Sequence, residues 1–330
     1  MYAWPPSGVR GEAGRSFSIP GDAFRMHPIT GLLTALGALT LVYIAGWANA
    51  FQAARRSTQR DSPATDTRPP DAIQIGLGAA TNFFDSLGIG SFATTTAIFR
   101  LRNMVPDRVI PGTLNAGHTL PTVLQAFLFT AAIPVDVLTL FAMIVAAVLG
   151  AWLGAGVVAK WSRRKVQIGM GSALLAAAFF FLMRQLNWFP AGSDEIGVRG
   201  IKLVIAVGGN FILGALMTLG IGLYAPCMVL VSLLGMSERT AFPIMMGSCA
   251  FLMPVGSLRF IREQSYSLRN ALGLAIGGIP GVLVAFYIVK SMDLYYVRWL
   301  VIVVVIYTAV TMLMSAAREK SSTANETADA

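Results

Sequence analysis

The sequence predicts an all-α polytopic membrane protein, and three observations support this class. Hydrophobic residues make up 55% of the 330 residues and charged residues only 12%, whereas soluble domains carry about 25% charged residues. Uncharged stretches of transmembrane length follow one another along the chain. A glycine-rich segment occurs twice, at an offset of 132 residues. Together these observations leave no room for a separate soluble domain.

The uncharged stretches cover most of the chain after residue 28. They are 30–54, 86–99 (short), 109–135, 137–159, 166–183, 203–237, 240–258, 270–289 and 299–317. The first 28 residues contain Gly, Pro and Arg without an apolar period, so 1–28 are predicted to be a disordered extension. Residues 29–51 are predicted to be an extra transmembrane helix and 52–72 a polar linker. Residues 317–330 are predicted to be a disordered tail.

Two features leave the N-terminus open to more than one interpretation. Ala48-Asn49-Ala50 resembles a signal-peptide cleavage site. The apolar segment before it is long for a signal peptide, which favours a retained helix. Translation from Met26 is a second alternative, because it would remove three arginines from the side of the membrane that is otherwise poor in basic residues.

An internal repeat organises the rest of the chain. LGIGSFATTTAIFRLRNM (87–104) aligns without a gap with LGIGLYAPCMVLVSLLGM (219–236), and nine of 35 positions are identical between 87–121 and 219–253. Gly150-x-x-x-Gly154 lies over Gly277-x-x-x-Gly281 and indicates close helix packing. The predicted repeats are 73–190 and 200–316. Each is a broken, re-entrant hairpin followed by three transmembrane helices, so the second repeat is inverted relative to the first.

Basic residues predict the orientation. With both broken hairpins entering and leaving on one side, the strongly basic loops after residue 51 all fall on the cytoplasmic side. The C-terminus is then cytoplasmic in a multi-pass protein of the inner or plasma membrane. The net charge of +9 is accordingly a topology signal, and no nucleic-acid partner is expected.

The glycine breaks predict a substrate site. A helix that begins inside a membrane presents unpaired N–H groups and a positive dipole end, which together bind anions. One half-helix is predicted to begin near Ser91 and the other near Leu223, facing each other across a pseudo-two-fold axis. The predicted substrate contacts are Gly90, Ser91, Thr94, Thr95, Asn115, Gly222 and Tyr224. The alternative is that these small residues only pack helices closely.

Asp85 and His118 are the ionisable residues predicted inside the membrane. Such residues are functional candidates because burying them in lipid is unfavourable. They are predicted to be proton-coupling residues, and the alternative is that Asp85 caps the half-helix while His118 makes a structural hydrogen bond. One Asp and one His are too few for a metal centre, and no serine or cysteine motif accompanies them. The sequence thus predicts neither an enzyme nor a metal or other cofactor.

These segments together resemble the TauE/SafE sulfite exporter family, also called the toluene-sulfonate uptake permease family. Its members open each repeat with a break of the form LGIGGG, and this sequence has LGIGSF (87–92) and LGIGLY (219–224). The resemblance covers residues 73–316 and points to a divergent branch, since the last two glycines are replaced in both repeats. It implies a permease for sulfite, sulfonates or related organosulfur anions, driven by the proton gradient.

The sequence therefore predicts a secondary transporter of small anions that works by alternating access. Its expected partners are a small inorganic or organosulfur anion, protons and the lipid bilayer, and a homo-oligomer remains open. The alternatives are an anion channel, a thiosulfate-type sulfur importer that uses Cys227, and a membrane scaffold without transport. The scaffold is disfavoured because broken helices reduce stability without serving such a role.

Overall fold

The computed structural model describes residues 22–56, 62–158, 163–186, 195–217 and 222–328. Over these residues the fold is all-helical. The α-helices are α1 (Asp22–Arg56), α2 (Ala72–Ser86), α3 (Ser91–Leu101), α4 (Ile110–Ala132), α5 (Val137–Val158), α6 (Arg163–Gln185), α7 (Gly200–Met217), α8 (Tyr224–Leu233), α9 (Ala241–Arg262), α10 (Leu268–Ser291) and α11 (Leu294–Ala328). Short 3₁₀ turns occur at Pro63–Thr65, Asp107–Val109 and Glu238–Thr240.

Five helical segments of the described chain are long and apolar enough to cross a membrane. They are Pro28–Arg56, Gly200–Met217, Glu238–Arg262, Leu268–Ser291 and Tyr295–Arg318. Large apolar side chains such as Val42, Trp152 and Phe179 are exposed on the outside of the bundle. In water such a surface would aggregate, whereas lipid solvates it. The predicted class, an all-α membrane protein, is thereby confirmed.

The ends of the chain differ from the expected boundaries. α1 begins at Asp22 and ends at Arg56, so it extends beyond the predicted span 29–51 at both ends, while residues 1–21 lie outside the described part. α11 continues to Ala328, although 317–330 were expected to be disordered. Hydropathy predicts the length of chain that lies in the apolar core of the membrane. A helix can continue beyond that core because its backbone hydrogen bonds form within the helix itself.

The predicted linker is partly packed against the bundle. Its residues 52–56 belong to α1, and the 3₁₀ turn at Pro63–Thr65 contacts both α1 and α10. Asp71 caps α2 by accepting from the Gln74 N–H at 3.0 Å, and the Gln74 side chain accepts from the Asp71 N–H in return. This capping box fixes where the first hairpin begins.

Two helix pairs pack at very short distance through glycine. α2 packs along α10 and α5 packs along α7. A Cβ atom added to Gly277 would collide with the carbonyl oxygen of Ile75, and one added to Gly150 would collide with that of Phe211. The close packing predicted for these two aligned glycines is thereby confirmed.

The remaining helices complete the bundle. α4 packs against α9, α6 packs against α11, and α10 and α5 contact α4 and α9 respectively. α1 lies against α4 and α9. Its fully buried Tyr43 donates a hydrogen bond of 2.7 Å to the carbonyl oxygen of Ala116, so the extra helix is anchored to the bundle.

The loops gather at two ends of the bundle. At one end, which we call the basic end, Arg269 donates to the Pro69 carbonyl and the Ser267 N–H donates to Thr113. This end joins the start of α2, the start of α4 and the α9–α10 loop. α3 turns back toward it, because Phe99 shares an apolar cluster with Leu77 of α2.

The opposite end, which we call the second end, joins a different set of loops. The Ser237 N–H donates to the Glu195 carbonyl and the Asp136 N–H donates to the Ile196 carbonyl. The residues after α8 thus return to the residues before α7. Each broken hairpin therefore begins and finishes at one end of the bundle, the first at the basic end and the second at the opposite end.

Candidate functional site

The first hairpin is broken between α2 and α3 by two glycines in the left-handed half of φ space. Gly88 has φ +96° and Gly90 has φ +87°. Residues with a Cβ rarely adopt these angles. The chain can therefore leave α2 at Ser86 and start α3 at Ser91 in a new direction, as LGIGS predicts.

The second hairpin resumes its helix at Tyr224. Leu219, Gly220 and Ile221, which are predicted to form its break, lie outside the described residues. Leu223 occupies the N-cap position and offers no side-chain hydrogen bond to the helix. Pro226 stands in the first turn, where its missing N–H leaves no intrahelical bond unmade.

The starts of α3 and α8 line one cavity of about 60 Å³. By volume it suits a small ion or a few water molecules. Its lining is Asp85, Ile89, Gly90, Ser91, Phe92, Thr122, Met217, Gly222, Leu223, Tyr224, Ala225, Cys249, Met253 and Thr308. Four of the predicted contacts, namely Gly90, Ser91, Gly222 and Tyr224, are thus brought together. Among the described residues, no Lys or Arg joins them.

Asp85 is the charged residue of this cavity, and its side chain is only 3% exposed. One carboxylate oxygen accepts the Ser91 N–H at 2.6 Å, so Asp85 caps the first residue of α3 from across the glycine break. The other oxygen accepts the side-chain amide of Gln125 at 3.0 Å. Both carboxylate oxygens of Asp85 therefore have hydrogen-bond donors within the protein.

Gln125 is the site residue that sequence reasoning missed. It is fully buried in α4. Its amide nitrogen donates to Asp85 and to Ser86, both at 3.0 Å, while its amide oxygen accepts the Tyr224 hydroxyl at 3.0 Å. It therefore links the first hairpin to the first residue of α8. The available signal was its position on α4, two turns beyond His118 and so on nearly the same helix face.

His118 has other partners than Asp85. Its Nδ1 lies 3.1 Å from the Asn82 amide oxygen and its Nε2 lies 3.2 Å from the Thr95 hydroxyl. The amide nitrogen of Asn82 donates to Gly78, which leaves the amide oxygen as an acceptor toward the imidazole. Nδ1 therefore donates to Asn82, and Nε2 faces a hydroxyl that can either donate or accept. The two ionisable residues belong to neighbouring hydrogen-bond networks, not to one pair.

Three predicted contacts lie outside the cavity lining. Thr94 donates to the Ser91 carbonyl of its own helix at 2.9 Å, and Thr95 faces His118. Asn115 donates to the Pro111 carbonyl at 2.9 Å. A half-helix turns its side chains by about 100° per residue, so only some of its first-turn residues face a given cavity.

The two cysteines also differ in position. Both are buried and free. Cys249 lines the cavity and its sulfur lies 3.7 Å from that of Met217. Cys227, the residue named in the importer alternative, is fully buried in α8 and does not line the cavity.

Other places in the described structure are weaker candidates. No group of three His, Cys, Asp or Glu side chains within the described ranges could hold a metal ion. A larger cavity of about 950 Å³ lies between α1 and α5. Its lining is apolar apart from Asp136 and Arg199 at one end, so it lacks the convergent polar groups of a small-anion site.

Comparison of the chain with the profiles of known protein families, with characterised proteins and with solved structures gives no match. The fold class and the cavity therefore define the molecule: it is an all-α membrane protein with a small, partly polar cavity between two short helices.

Proposed function

We propose that this protein is a secondary transporter, a permease of the cell membrane that moves small anions by alternating access. The substrates are sulfite, sulfonates or related organosulfur anions, as the resemblance to the TauE/SafE family implies. Transport is coupled to protons through Asp85. In this proposal the predicted substrate contacts divide into cavity residues, which bind the anion, and Thr94, Thr95 and Asn115, which support the helices around it.

One observation carries the proposal. Two short helices start at the same small cavity, and neither cap residue offers a side chain to the N–H groups, although the Ser91 N–H at the start of α3 donates to Asp85. The ends of helix dipoles that meet in an apolar surrounding attract an anion without any cationic side chain. Transporters with broken helices use this arrangement at the membrane midplane.

Several contacts support the inverted-repeat part of the proposal. Under the 132-residue offset, α2, α3 and α4 correspond to α7, α8 and α9, and the 127-residue offset relates α5 to α10. The pairing of α2 with α10 then corresponds to that of α7 with α5. When the two repeats are exchanged, the pairing of α4 with α9 is unchanged, and so is that of α6 with α11. A two-fold relation between units requires this pattern.

The distribution of arginines supports the proposed orientation. Arg68, Arg100, Arg102, Arg108, Arg259, Arg262 and Arg269 all belong to the loops and helix termini of the basic end. The positive-inside rule assigns such an end to the cytoplasm. The helix α11 starts at the second end, so the C-terminus would also be cytoplasmic.

His118 enters this proposal as a positioning residue. It connects α2, α4 and α3 through Asn82 and Thr95, and it does not line the cavity. We therefore assign the coupled proton to Asp85. His118→Gln can still bond both neighbours, so it should keep pH-dependent transport. Loss of that dependence would restore His118 as a proton carrier.

The decisive experiment measures uptake of labelled sulfite into proteoliposomes with and without an imposed pH gradient. Unlabelled sulfonates and sulfate serve as competitors. We expect gradient-dependent uptake that Asp85→Asn abolishes and that Asp136→Asn, a carboxylate change outside the small cavity, leaves intact. Uptake that ignores the gradient would favour the channel. Absence of uptake with every anion would favour the scaffold.

Cysteine variants separate the importer alternative. A sulfur relay through Cys227 would stop in Cys227→Ser, whereas the anion carrier should keep its uptake because this thiol does not line the cavity. Cys249→Ser is the comparison variant, because it makes the same change in a thiol that does line the cavity.

A further inference from the structure

We infer that Gln125 is the positioning residue that couples the proton on Asp85 to the anion in the cavity, by reversing the direction of a hydrogen-bond chain that ends at Tyr224. This inference rests on the proposed function and concerns the regulation of the same cavity. The chain runs from the Tyr224 hydroxyl through the Gln125 amide to the Asp85 carboxylate, with all three side chains buried.

Ionised Asp85 fixes the direction of this chain. A carboxylate only accepts hydrogen bonds, so Gln125 must turn its NH₂ group toward Asp85 and its amide oxygen toward Tyr224. The Tyr224 hydroxyl then donates its single proton to that amide oxygen at 3.0 Å. In this state the hydroxyl hydrogen points away from the cavity and toward α4.

Protonation of Asp85 reverses the chain. The new O–H on the carboxyl oxygen facing Gln125 becomes a donor, and a half-turn of the amide brings its oxygen into position to accept. The NH₂ group of Gln125 then donates to the Tyr224 oxygen. No covalent bond other than the carboxyl O–H forms. The Ser86 hydroxyl, which donates to the Asn82 carbonyl at 2.9 Å, can turn its hydrogen from that carbonyl to the amide oxygen.

The reversal releases the Tyr224 hydroxyl hydrogen for the cavity. Tyr224 is part of the cavity wall together with Thr122 and Ser91. Its hydroxyl would donate to a bound oxyanion only when Asp85 is protonated. Loss of the negative charge on Asp85 favours the same anion, so the two effects act in one direction. A proton and an anion should thus bind together.

The surroundings contain few competing charges. The titratable groups that share the cavity with Asp85 are Tyr224 from α8 and Cys249 from α9. His118 of α4 is engaged by Asn82 and Thr95. On α10, Arg269 bonds Pro69 and Asp71, and Lys290 lies over the Phe286 ring. Arg100 stands in the last turn of α3, away from its cavity end.

The test is equilibrium binding of methanesulfonate to the full-length protein in lipid nanodiscs, measured by calorimetry over a range of pH. The charge of this probe is constant over that range. For the wild type, the affinity should rise about tenfold for each unit by which the pH falls, over the range in which Asp85 is ionised in the anion-free protein. One proton should be taken up for each anion that binds. Measurements in buffers of different ionisation enthalpy count that proton.

Gln125→Met should still bind the probe, but its total gain in affinity from high to low pH should be smaller than that of the wild type, because only the charge of Asp85 then couples the proton to the anion. Gln74→Met is the matched control, a buried glutamine of α2 outside the chain, and it should keep the full gain. Tyr224→Phe should also reduce the gain at low pH, which provides a second variant if Gln125→Met fails to fold.

The outcomes separate the two proposals. A gain in affinity at low pH that is as large in Gln125→Met and Tyr224→Phe as in the wild type would overturn the inference and leave the anion site standing. Wild-type binding without proton uptake would do the same. Failure of the wild type to bind methanesulfonate and every anion of the uptake panel would overturn the proposed function.

Discussion

The two broken hairpins share their glycine pattern but differ in polarity. At the 132-residue offset, Asp85 corresponds to Met217, Ser91 to Leu223 and Thr95 to Cys227. The pair formed by Asn82 and His118 corresponds to Gly214 and Ala250. At the cavity, the first hairpin therefore supplies the hydrogen-bonded polar groups, whereas the described residues of the second supply apolar walls and one tyrosine hydroxyl. The buried Asn210 of the second hairpin bonds Met143 and Ser248 away from the cavity lining.

The difference indicates how a duplicated scaffold becomes a specific site. Under the proposed function, two helix N-termini attract the anion, and this attraction requires only backbone geometry. The coupled proton requires a side chain that titrates, and a single carboxylate suffices for it. A second carboxylate at Met217 would place like charges around one small cavity and oppose anion binding.

The largest expected effect comes from copying the second hairpin into the first. Asp85→Met removes the acceptor of the Ser91 N–H and of the Gln125 amide. Two buried donors left without acceptors should lower the free energy of unfolding by about 2–4 kcal/mol. The measurement is denaturant or thermal unfolding in detergent together with gradient-driven uptake, which should disappear.

Met217→Leu is the control for that change, since it exchanges apolar groups of similar volume on the opposite wall. Its effect on stability should stay below about 1.5 kcal/mol. Equal losses in the two variants would contradict the assigned difference between the hairpins.

An intermediate effect is expected from the glycines at the breaks. Gly90 and Gly222 are aligned, and an added Cβ meets nothing within 4 Å at either position. Only Gly90 has a positive φ, of +87°. Gly90→Ala should therefore lower the free energy of unfolding by about 1–3 kcal/mol through backbone strain alone. Gly222→Ala should change it by less than about 0.5 kcal/mol.

Unfolding measurements on the two alanine variants under identical conditions check this contrast. A similar effect at both positions would show that the two breaks impose the same backbone constraint.

The smallest effect is expected at the second end, where the second hairpin is anchored. Arg199 binds Asp136 with both terminal nitrogens, at 2.6 and 2.7 Å. The guanidinium of Arg199, together with the hydrogen bonds from Thr139, lowers the pKa of Asp136 from 3.8 to about 2. An ion pair with so much exposed surface contributes about 0–1 kcal/mol.

Because the folded-state pKa of Asp136 is depressed, this stabilisation is present above pH 3.8 and is lost as the pH falls through about 2. Arg199→Gln should thus be slightly less stable than the wild type near neutral pH, and the two should converge in strong acid. The test compares the unfolding midpoints of the two proteins near neutral pH and in strong acid. Uptake near neutral pH should be unchanged. A change in uptake would mean that the anchor of the second hairpin takes part in transport.

The sequence by itself determined the class of the protein and the location of the helix break between α2 and α3. Composition and apolar runs are local properties, and burial of backbone polar groups in lipid permits little besides helices. LGIGS predicted the break before α3 because only glycine adopts the required backbone angles freely. The charge of Asp85 and the repeated LGIG motif were sufficient to predict cavity residues in both hairpins.

Tertiary structure decided which side chains meet. Asp85 and His118 were both predicted to be proton-coupling residues, and they face different neighbours. Gln125 was found only through its contacts with Asp85 and Tyr224. Each residue turns a helix face by about 100°, so partners on different helices depend on how each helix is rotated. That rotation is fixed by long-range packing such as Gly277 of α10 against Ile75 of α2. Hydropathy and repeat alignment do not contain it, because they describe one chain segment at a time.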